Sequence, residues 1–407
     1  MKKLFKSKSE NFVVSSIIEN DVIDRTSLSK VTGMSLPAIS KIVRNLIDRE
    51  IVEEIGTSTS SGGRKPILLR FNSYYRFAIG IKIGLGYAYV IVTDFVGNVI
   101  LRFVENFDSS ANPENTLMRL LEKSKERIKS SGIEIKKIIG IGVAISGSVD
   151  QEKGTLIFSS ILGWENVEIS KIFNKVMKVP VVVLNDVKSF TLAQVWKGAK
   201  KEYKNFLVVT IGTGIGLGIV TGRKLYVGNG NAGEFGHIVV NPDGEKCTCG
   251  RKGCLETEVS FGALVRKIKV QNSFEIDKVI PVSKENEGEE TLLQILRMAK
   301  EKNESLFKSY FENFKKFLGI ALVDLVNIFN PPLIILGGEA LEFDQYFVKE
   351  VSTYVHNNAF NAFGENVEIV EDTLGEDAWS FGVIYLLIQQ AFGKDPIIKE
   401  VTMKEKS

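Results

Sequence analysis

All three cysteines of the chain, Cys247, Cys249 and Cys254, fall within eight residues. One of its two histidines, His237, precedes the first of them by ten positions. Three thiolates and one imidazole make a complete tetrahedral ligand set for Zn²⁺. Gly250 and Gly253 supply the turns that fold such a loop back onto one ion. Four protein ligands leave no open position, so the ion is expected to be structural rather than catalytic. The other uses of three thiols are incidental side chains, or a disulfide with one cysteine left over. A disulfide needs an oxidising compartment, and nothing in the chain suggests one.

A second group could handle a polar ligand. Asn185 and Asp186 close the apolar run 179–184, which reads as a buried strand. The carboxyl end of such a strand is where α/β folds place ligand chemistry. Residues 206–210 and 216–220 read as strands around Ile211-Gly-Thr-Gly-Ile215, a hairpin whose backbone N–H groups are available to an anion. Glycine hairpins are common, so this loop alone is weakly informative.

The elements that position these groups follow from periodicity. Residues 9–19 read as a helix with Phe12, Val13, Ile17 and Ser16 facing inward. Asp24 is a candidate N-cap for a helix from 25 to 32, and Gly33-Met34 makes a turn. Ser35 caps a third helix, to about 49, with Ile39, Ile42, Val43, Leu46 and Ile47 on one face and Pro37 in its first turn. Its outward face carries Leu36, Ser40, Lys41, Arg44 and Asn45. This pattern predicts a helix-turn-helix whose segment 36–44 enters a major groove, with Ser35, Leu36, Pro37, Ser40, Lys41 and Arg44 as candidate DNA contacts. Residues 51–55 and 67–71 would be the strands of a wing. The polar segment between them ends in Gly63, Arg64 and Lys65, suited to a narrow minor groove. Charge agrees: residues 1–72 hold twelve Lys or Arg against eight Asp or Glu, while the remaining 335 hold 40 against 41.

From residue 75 onward the reading is α/β. Strands 77–83, 87–93 and 98–103 form a meander, followed by a helix over 113–131 and a buried strand over 137–145. Helices are expected over Ile169–Met177, Phe261–Val270, Glu304–Phe329 and 379–392, and an exposed acidic loop over 285–290. The apolar face of Glu304–Phe329 is read as Leu306, Tyr310, Phe314, Phe317, Ala321, Leu325 and Ile328. Residues 397–407 read as a charged, frayed tail. At 44% hydrophobic and 25% charged residues the chain is ordinary for a soluble globular protein. It has no apolar run long enough to span a membrane, and its first residues lack the apolar core of a signal peptide. A cytoplasmic location is expected.

Glu-x-Gly-His at 234–237, followed by Cys-x-Cys-Gly-x-x-Gly-Cys-x-Glu at 247–256, resembles the signature of the ROK family of repressors, open reading frames and kinases. The resemblance runs from about residue 10 to about residue 390. It implies an N-terminal winged helix-turn-helix (1–72) ahead of a two-lobed, actin-like (ribonuclease H-like) ROK body. Lobe I would span 75–200, completed by the helix at 376–393. Lobe II, with the zinc loop, would span 201–375. The family's sugar site implies Asn185, Asp186, Glu234, His237 and Glu256 as sugar ligands, with weaker contacts from Gly147 and Ser160. His237 would bind zinc through one nitrogen and offer the other to a sugar hydroxyl.

The family contains both sugar kinases and sugar-responsive repressors. Kinases read Asp-x-Gly-Gly-Thr at the first turn, where this chain has Lys82-Ile-Gly84-Leu-Gly86. They read Asn-Asp-x-Asn where Lys188 here replaces the second asparagine. Asp186 would be the general base of a kinase. Lys82 and the N-terminal unit favour a repressor without catalytic residues, binding operator DNA and a small sugar as a homodimer or tetramer, with structural Zn²⁺ and no use of ATP. The alternative is an ATP-dependent sugar kinase, or a repressor that is also a kinase.

Overall fold

The computed structural model describes residues 4–5, 7–57, 66–108, 110–198, 200–270, 289–361, 363–393 and 398–399. At the N-terminus, α1 (Lys8–Asn20) starts at Ser7, whose hydroxyl accepts the Glu10 N–H at 3.1 Å. Its buried stripe is Glu10, Val13, Val14, Ser16 and Ile17. Phe12 does not belong to it and is 49% exposed. With the stripe centred between positions 13 and 17, position 12 is turned by about 100° from 13 toward solvent. Asp24 caps α2 (Arg25–Thr32) by accepting from the N–H groups of Thr26 and Ser27. The αL residue Gly33 ends that helix. Ser35 holds the N-cap position of α3 (Leu36–Asp48) but its side chain makes no capping bond, a correction to the reading of a Ser35 cap. The inward face of α3 is Ile39, Val43 and Leu46. Strands β2 (Val52–Thr57) and β3 (Ile67–Phe71) form the expected hairpin. The short β1 (Val22–Asp24), not evident in the sequence, adds to β3 in the order β1-β3-β2. The hairpin tip with Gly63, Arg64 and Lys65 lies outside the described residues.

The first lobe is built on a five-stranded sheet. β4 (Phe77–Ile83), β5 (Tyr87–Asp94) and β6 (Val99–Asn106) form the antiparallel meander. β7 (Ile138–Ile145) and β11 (Val181–Asn185) extend it in parallel, giving the order β11-β7-β4-β5-β6. Helices Pro113–Ser130 and Ile169–Met177 cover one face through Leu117, Leu121, Ile172 and Phe173. Asp186–Lys197 and the closing helix Asp377–Phe392 cover the other. Gly142 explains how close that helix comes: a Cβ there would meet Val383 Cβ at 2.5 Å. Between β7 and Ile169–Met177 lies a small antiparallel sheet, β8 (Ser148–Asp150), β9 (Thr155–Ser159) and β10 (Trp164–Val167), too short to show periodicity.

The second lobe carries six strands in the order β16-β15-β12-β13-β14-β17. These are β12 (Phe206–Ile211), β13 (Ile215–Thr221), β14 (Lys224–Tyr226), β15 (Leu333–Gly337), β16 (Glu368–Glu371) and β17 (Ile398–Lys399). Three expectations change here. Glu289 and Glu290 open the helix Glu289–Lys302 instead of lying in an acidic loop, whose residues 285–288 are outside the described set. Ile328 is 73% exposed, at the solvent side of the last turn of Glu304–Phe329 before Pro331 stops it. In the charged tail, Ile398–Lys399 pairs with β14, and the other tail residues are outside the described set.

The N-terminal unit and the first lobe share one apolar cluster, in which Val13, Ile17 and Val43 are continuous with Phe95, Trp379 and Phe392, and which also takes in Phe206, Val208 and Leu333 of the second lobe. Phe5, Phe71, Phe95 and Phe392 form its aromatic centre. Leu4 N–H donates to Ala391 O at 3.1 Å and Asn11 Nδ2 to Phe392 O at 2.6 Å, so backbone polar groups also tie the two together.

Candidate functional site

The end of β11 sets the first group of side chains. Its parallel register with β7 brings Asn185 beside Ile145, one residue before the Ser146-Gly147 turn. Asn185 Nδ2 donates to Gly147 O and to Asp186 Oδ1, both at 3.1 Å, and Asn185 Oδ1 accepts the Lys188 N–H at 3.2 Å. Asn185 is thereby the N-cap of Asp186–Lys197, and its amide is held in one orientation. Asp186 Oδ1 also accepts the Val187 N–H at 2.9 Å, at the positive end of that helix.

Across from this turn stands the loop after β14. The cleft between the two walls has a volume of about 420 Å³. Gly147, Ser160, Asn185 and Asp186 line it on one side, and Glu234, His237 and Glu256 on the other. All seven residues read as sugar ligands thus face one cavity. Burial pushes the Glu256 carboxyl up in pKa, with His237 opposing the shift and Glu234 adding to it. Lys188, on the helix Asp186–Lys197 of the facing wall, is buried and donates from Nζ across to Gly230 O. Burial lowers its pKa, and the charge of Glu234 partly restores it.

The cysteine loop belongs to the wall of Glu234, His237 and Glu256, and Thr248 and Cys249 reach the cleft. The ligand atoms of His237, Cys247, Cys249 and Cys254 all lie within 4.8 Å of one another, a group able to hold a metal ion. His237 Nδ1 is 3.6 Å from Cys247 Sγ, and Cys249 Sγ is 3.5 Å from Cys254 Sγ. The backbone is drawn tight around them: Cys247 N–H donates to Arg251 O at 2.7 Å, and the Arg251 guanidinium donates to His237 O at 2.9 Å. Gly253 has φ +70°, and a Cβ there would meet Asn241 O at 1.6 Å, so no other residue closes this loop.

Sequence reasoning gave Lys82 a place in the first turn but missed its neighbours. Lys82 lies in the cleft with Glu339 and Trp379, which come from the turn after β15 and from the closing helix. The Gly337-Gly338 pair is the one sequence signal for a chain that approaches the cleft closely at Glu339.

On the N-terminal unit, Ser35 at the N-cap of α3 is exposed, as are Leu36, Pro37, Lys41 and Arg44 on the helix, and Ser40 is half-buried. Pro37, Ser40, Lys41 and Arg44 border a shallow groove closed by Ser7 and Glu10 of α1.

Comparison with known proteins completes the picture. The ROK family model matches residues 78–390. The chain is 32% identical over 388 residues to the xylose repressor of Caldicellulosiruptor bescii, covering 95% of this chain and 96% of that protein. A solved ROK family transcriptional regulator, a homologue of the E. coli MLC protein, has a TM-score of 0.75 at 24% identity, with 94% and 95% of the two chains covered. A ROK family glucokinase from Streptomyces griseus, solved with glucose and AMPPNP, has a TM-score of 0.62 at 24% identity and covers 76% of this chain and 98% of its own. The two structural likenesses bear on the fold. The family match covers most of the sequence and the repressor aligns nearly end to end, and on these grounds the chain belongs to the ROK family.

Proposed function

We propose that the protein is a DNA-binding transcriptional repressor of carbohydrate-utilisation genes, and that a sugar bound in the ROK cleft controls its affinity for operator DNA. The observation that carries this reading is the seating of the N-terminal unit on the end of the closing helix of the first lobe, through Phe5 on Phe392 and the Leu4–Ala391 and Asn11–Phe392 hydrogen bonds, while the start of that helix lines the cleft at Trp379. A ligand that draws the lobes together re-aims the recognition helix along with lobe I. The alignment supports the same reading: the repressor relative follows 95% of the chain, whereas the glucokinase leaves about a quarter without a counterpart.

The cleft suits a neutral polyol. Asn185, Asp186, Glu234 and Glu256 offer amides and carboxylates that bridge adjacent hydroxyls, with Gly147 and Ser160 at the edge. His237 presents Nδ1 to the cysteines, which leaves Nε2 for a hydroxyl. The metal is zinc, in a structural role: tetrahedral Zn–S bonds of about 2.3 Å place two sulfurs about 3.8 Å apart, close to the 3.5 Å between Cys249 and Cys254. Holding His237 through the metal fixes the part of the wall that touches the ligand.

We divide the chain at 1–72, at 75–200 with 376–393, and at 201–375. One recognition helix reads too few base pairs to be selective, so the active form is a homodimer or tetramer on paired half-sites. Contacts come from Ser35, Leu36, Pro37, Ser40, Lys41 and Arg44 in the major groove, and from Gly63, Arg64 and Lys65 in the minor groove. Binding to operator DNA places the protein in the cytoplasm, and among the described residues no helix is long and apolar enough to cross a membrane. Phosphoryl transfer is not part of this function. A kinase needs metal and phosphate held at the first turn, and Lys82 cannot ligate Mg²⁺. Asp186 stands where a general base would be needed, so the kinase reading keeps a direct test: a coupled assay with ATP and a panel of hexoses and pentoses. Turnover above about 1 s⁻¹, low for a kinase, would restore it. The repressor reading is tested by footprinting the protein on the region upstream of its own gene. Two protected half-sites that a sugar releases are expected. Protection of a single half-site, or of none, would remove it.

A further inference from the structure

Lys82 stands in the lobe I wall of the cleft with its side chain 5% exposed, and Glu339 faces it from lobe II with Oε1 3.5 Å from Nζ. The pair bridges the two lobes. The ammonium also lies 4.5 Å from the centre of the Trp379 ring and 5.4 Å from that of Tyr87. The other oxygen of Glu339 lies against the glycine loop between β12 and β13: a Cβ on Gly212 would meet Oε2 at 2.3 Å. The carboxylate therefore fills the space between a buried cation and a glycine-rich turn, space that a side chain at position 212 would take.

We propose that Glu339 is a specificity-determining residue: it occupies, as a built-in anion, the space between Lys82 and Gly212, and so reserves the cleft for neutral ligands and turns away phosphorylated ones. An incoming phosphate meets like charge at the Glu339 carboxylate, beside the buried Lys82. At about 4 Å such repulsion is several-fold stronger near a protein surface than in bulk water. The phosphate must also displace the partner that Lys82 already holds. A neutral sugar meets neither obstacle, because its hydroxyls are served by Asn185, Asp186 and the opposite wall. The inference takes from the proposed function only that the cleft is a ligand site. Its readout is phosphate affinity, which needs neither DNA nor an identified sugar.

The test is calorimetric titration of the full chain with pyrophosphate and, separately, with ADP. The native protein is expected to take up neither at millimolar concentration. Glu339→Ala is expected to bind pyrophosphate at least ~10-fold more tightly than the native chain, a difference of about 1.4 kcal/mol. ADP binding beyond that of pyrophosphate would identify a nucleotide as the excluded class, and equal binding would identify phosphate in general. The double variant Lys82→Met/Glu339→Ala should lose the gain. Glu339→Gln keeps the size and removes the charge: a gain there assigns the effect to repulsion, and a gain only in Glu339→Ala assigns it to occupancy. The inference is overturned if Glu339→Ala, shown to melt as cooperatively as the native chain, binds pyrophosphate no better than the native chain. A gain that survives the loss of Lys82 overturns it as well.

Discussion

The ring of Phe5 lies 4.7 Å, centre to centre, from that of Phe392, the last residue of the closing helix. Fifteen positions back in the chain, at the start of the same helix, Asp377 accepts a hydrogen bond from the Tyr89 hydroxyl at 2.7 Å, and Trp379 two residues on lines the cleft. One rigid element thus touches both the ligand site and the DNA-binding unit. Phe392→Ala should lower stability by about 3 kcal/mol, the usual cost of emptying an aromatic core position, as read by denaturant unfolding. At temperatures where the variant stays folded, its sugar affinity should hold while the sugar's effect on DNA binding shrinks. An unchanged sugar effect would show that the signal does not pass through this contact.

Elemental analysis of protein prepared in metal-free buffers should give about one zinc per chain. Cys249 is the exposed ligand, so Cys249→Ser disturbs the core least. It should lose the ion and weaken sugar binding through the freed His237. Chelation of the native protein should reproduce both effects and lower its apparent melting temperature, since an ion that binds only the folded state stabilises it. A stoichiometry near zero in protein that still responds to sugar would contradict the metal assignment.

Arg44→Ala should weaken operator binding, because its side chain is on the exposed face of α3. Fluorescence anisotropy at several salt concentrations separates two causes. Loss of a phosphate contact reduces the salt slope by about one and affects all sequences alike, whereas loss of a base contact costs about 1–3 kcal/mol and relaxes preference at one position. Arg64→Ala should instead reduce the preference for A·T-rich flanks. Native affinity in both variants would mean that DNA is read by another surface.

Much of the architecture could be read from the sequence because its signals are local. The single-faced pattern Ile39, Val43, Leu46 marks α3, and the apolar run ending in Asn185-Asp186 marks a strand, though not the helix that Asn185 caps. The cysteine spacing announced the cluster of His237 with the three cysteines, because groups close in sequence need only a tight loop to meet. What escaped depends on long-range packing. Phe12 fits a helix stripe as well as Val14 does, and only the position of the neighbouring helices decides which one is covered. The strand Val22–Asp24 exists because Leu68–Arg70 offers it a partner. Glu339 enters the cleft from a position 257 residues beyond Lys82, so no local pattern could couple them.

Sugar and operator DNA are expected to bind to two states of one coupled molecule. If the sugar favours a closed cleft in which the recognition helices no longer match one DNA face, its affinity must differ between free and operator-bound protein. A coupling of about 1–3 kcal/mol corresponds to a change of roughly 5–150-fold, and linkage makes the effect of DNA on sugar equal to that of sugar on DNA. Asp186→Ala and Glu234→Ala supply the control: both should bind operator normally and fail to release it. The measurement is a sugar titration by calorimetry, with and without saturating operator. Sugar binding is expected to be weaker in the presence of operator, by the same factor with which sugar weakens DNA binding. Equal sugar affinities in the two titrations would contradict it.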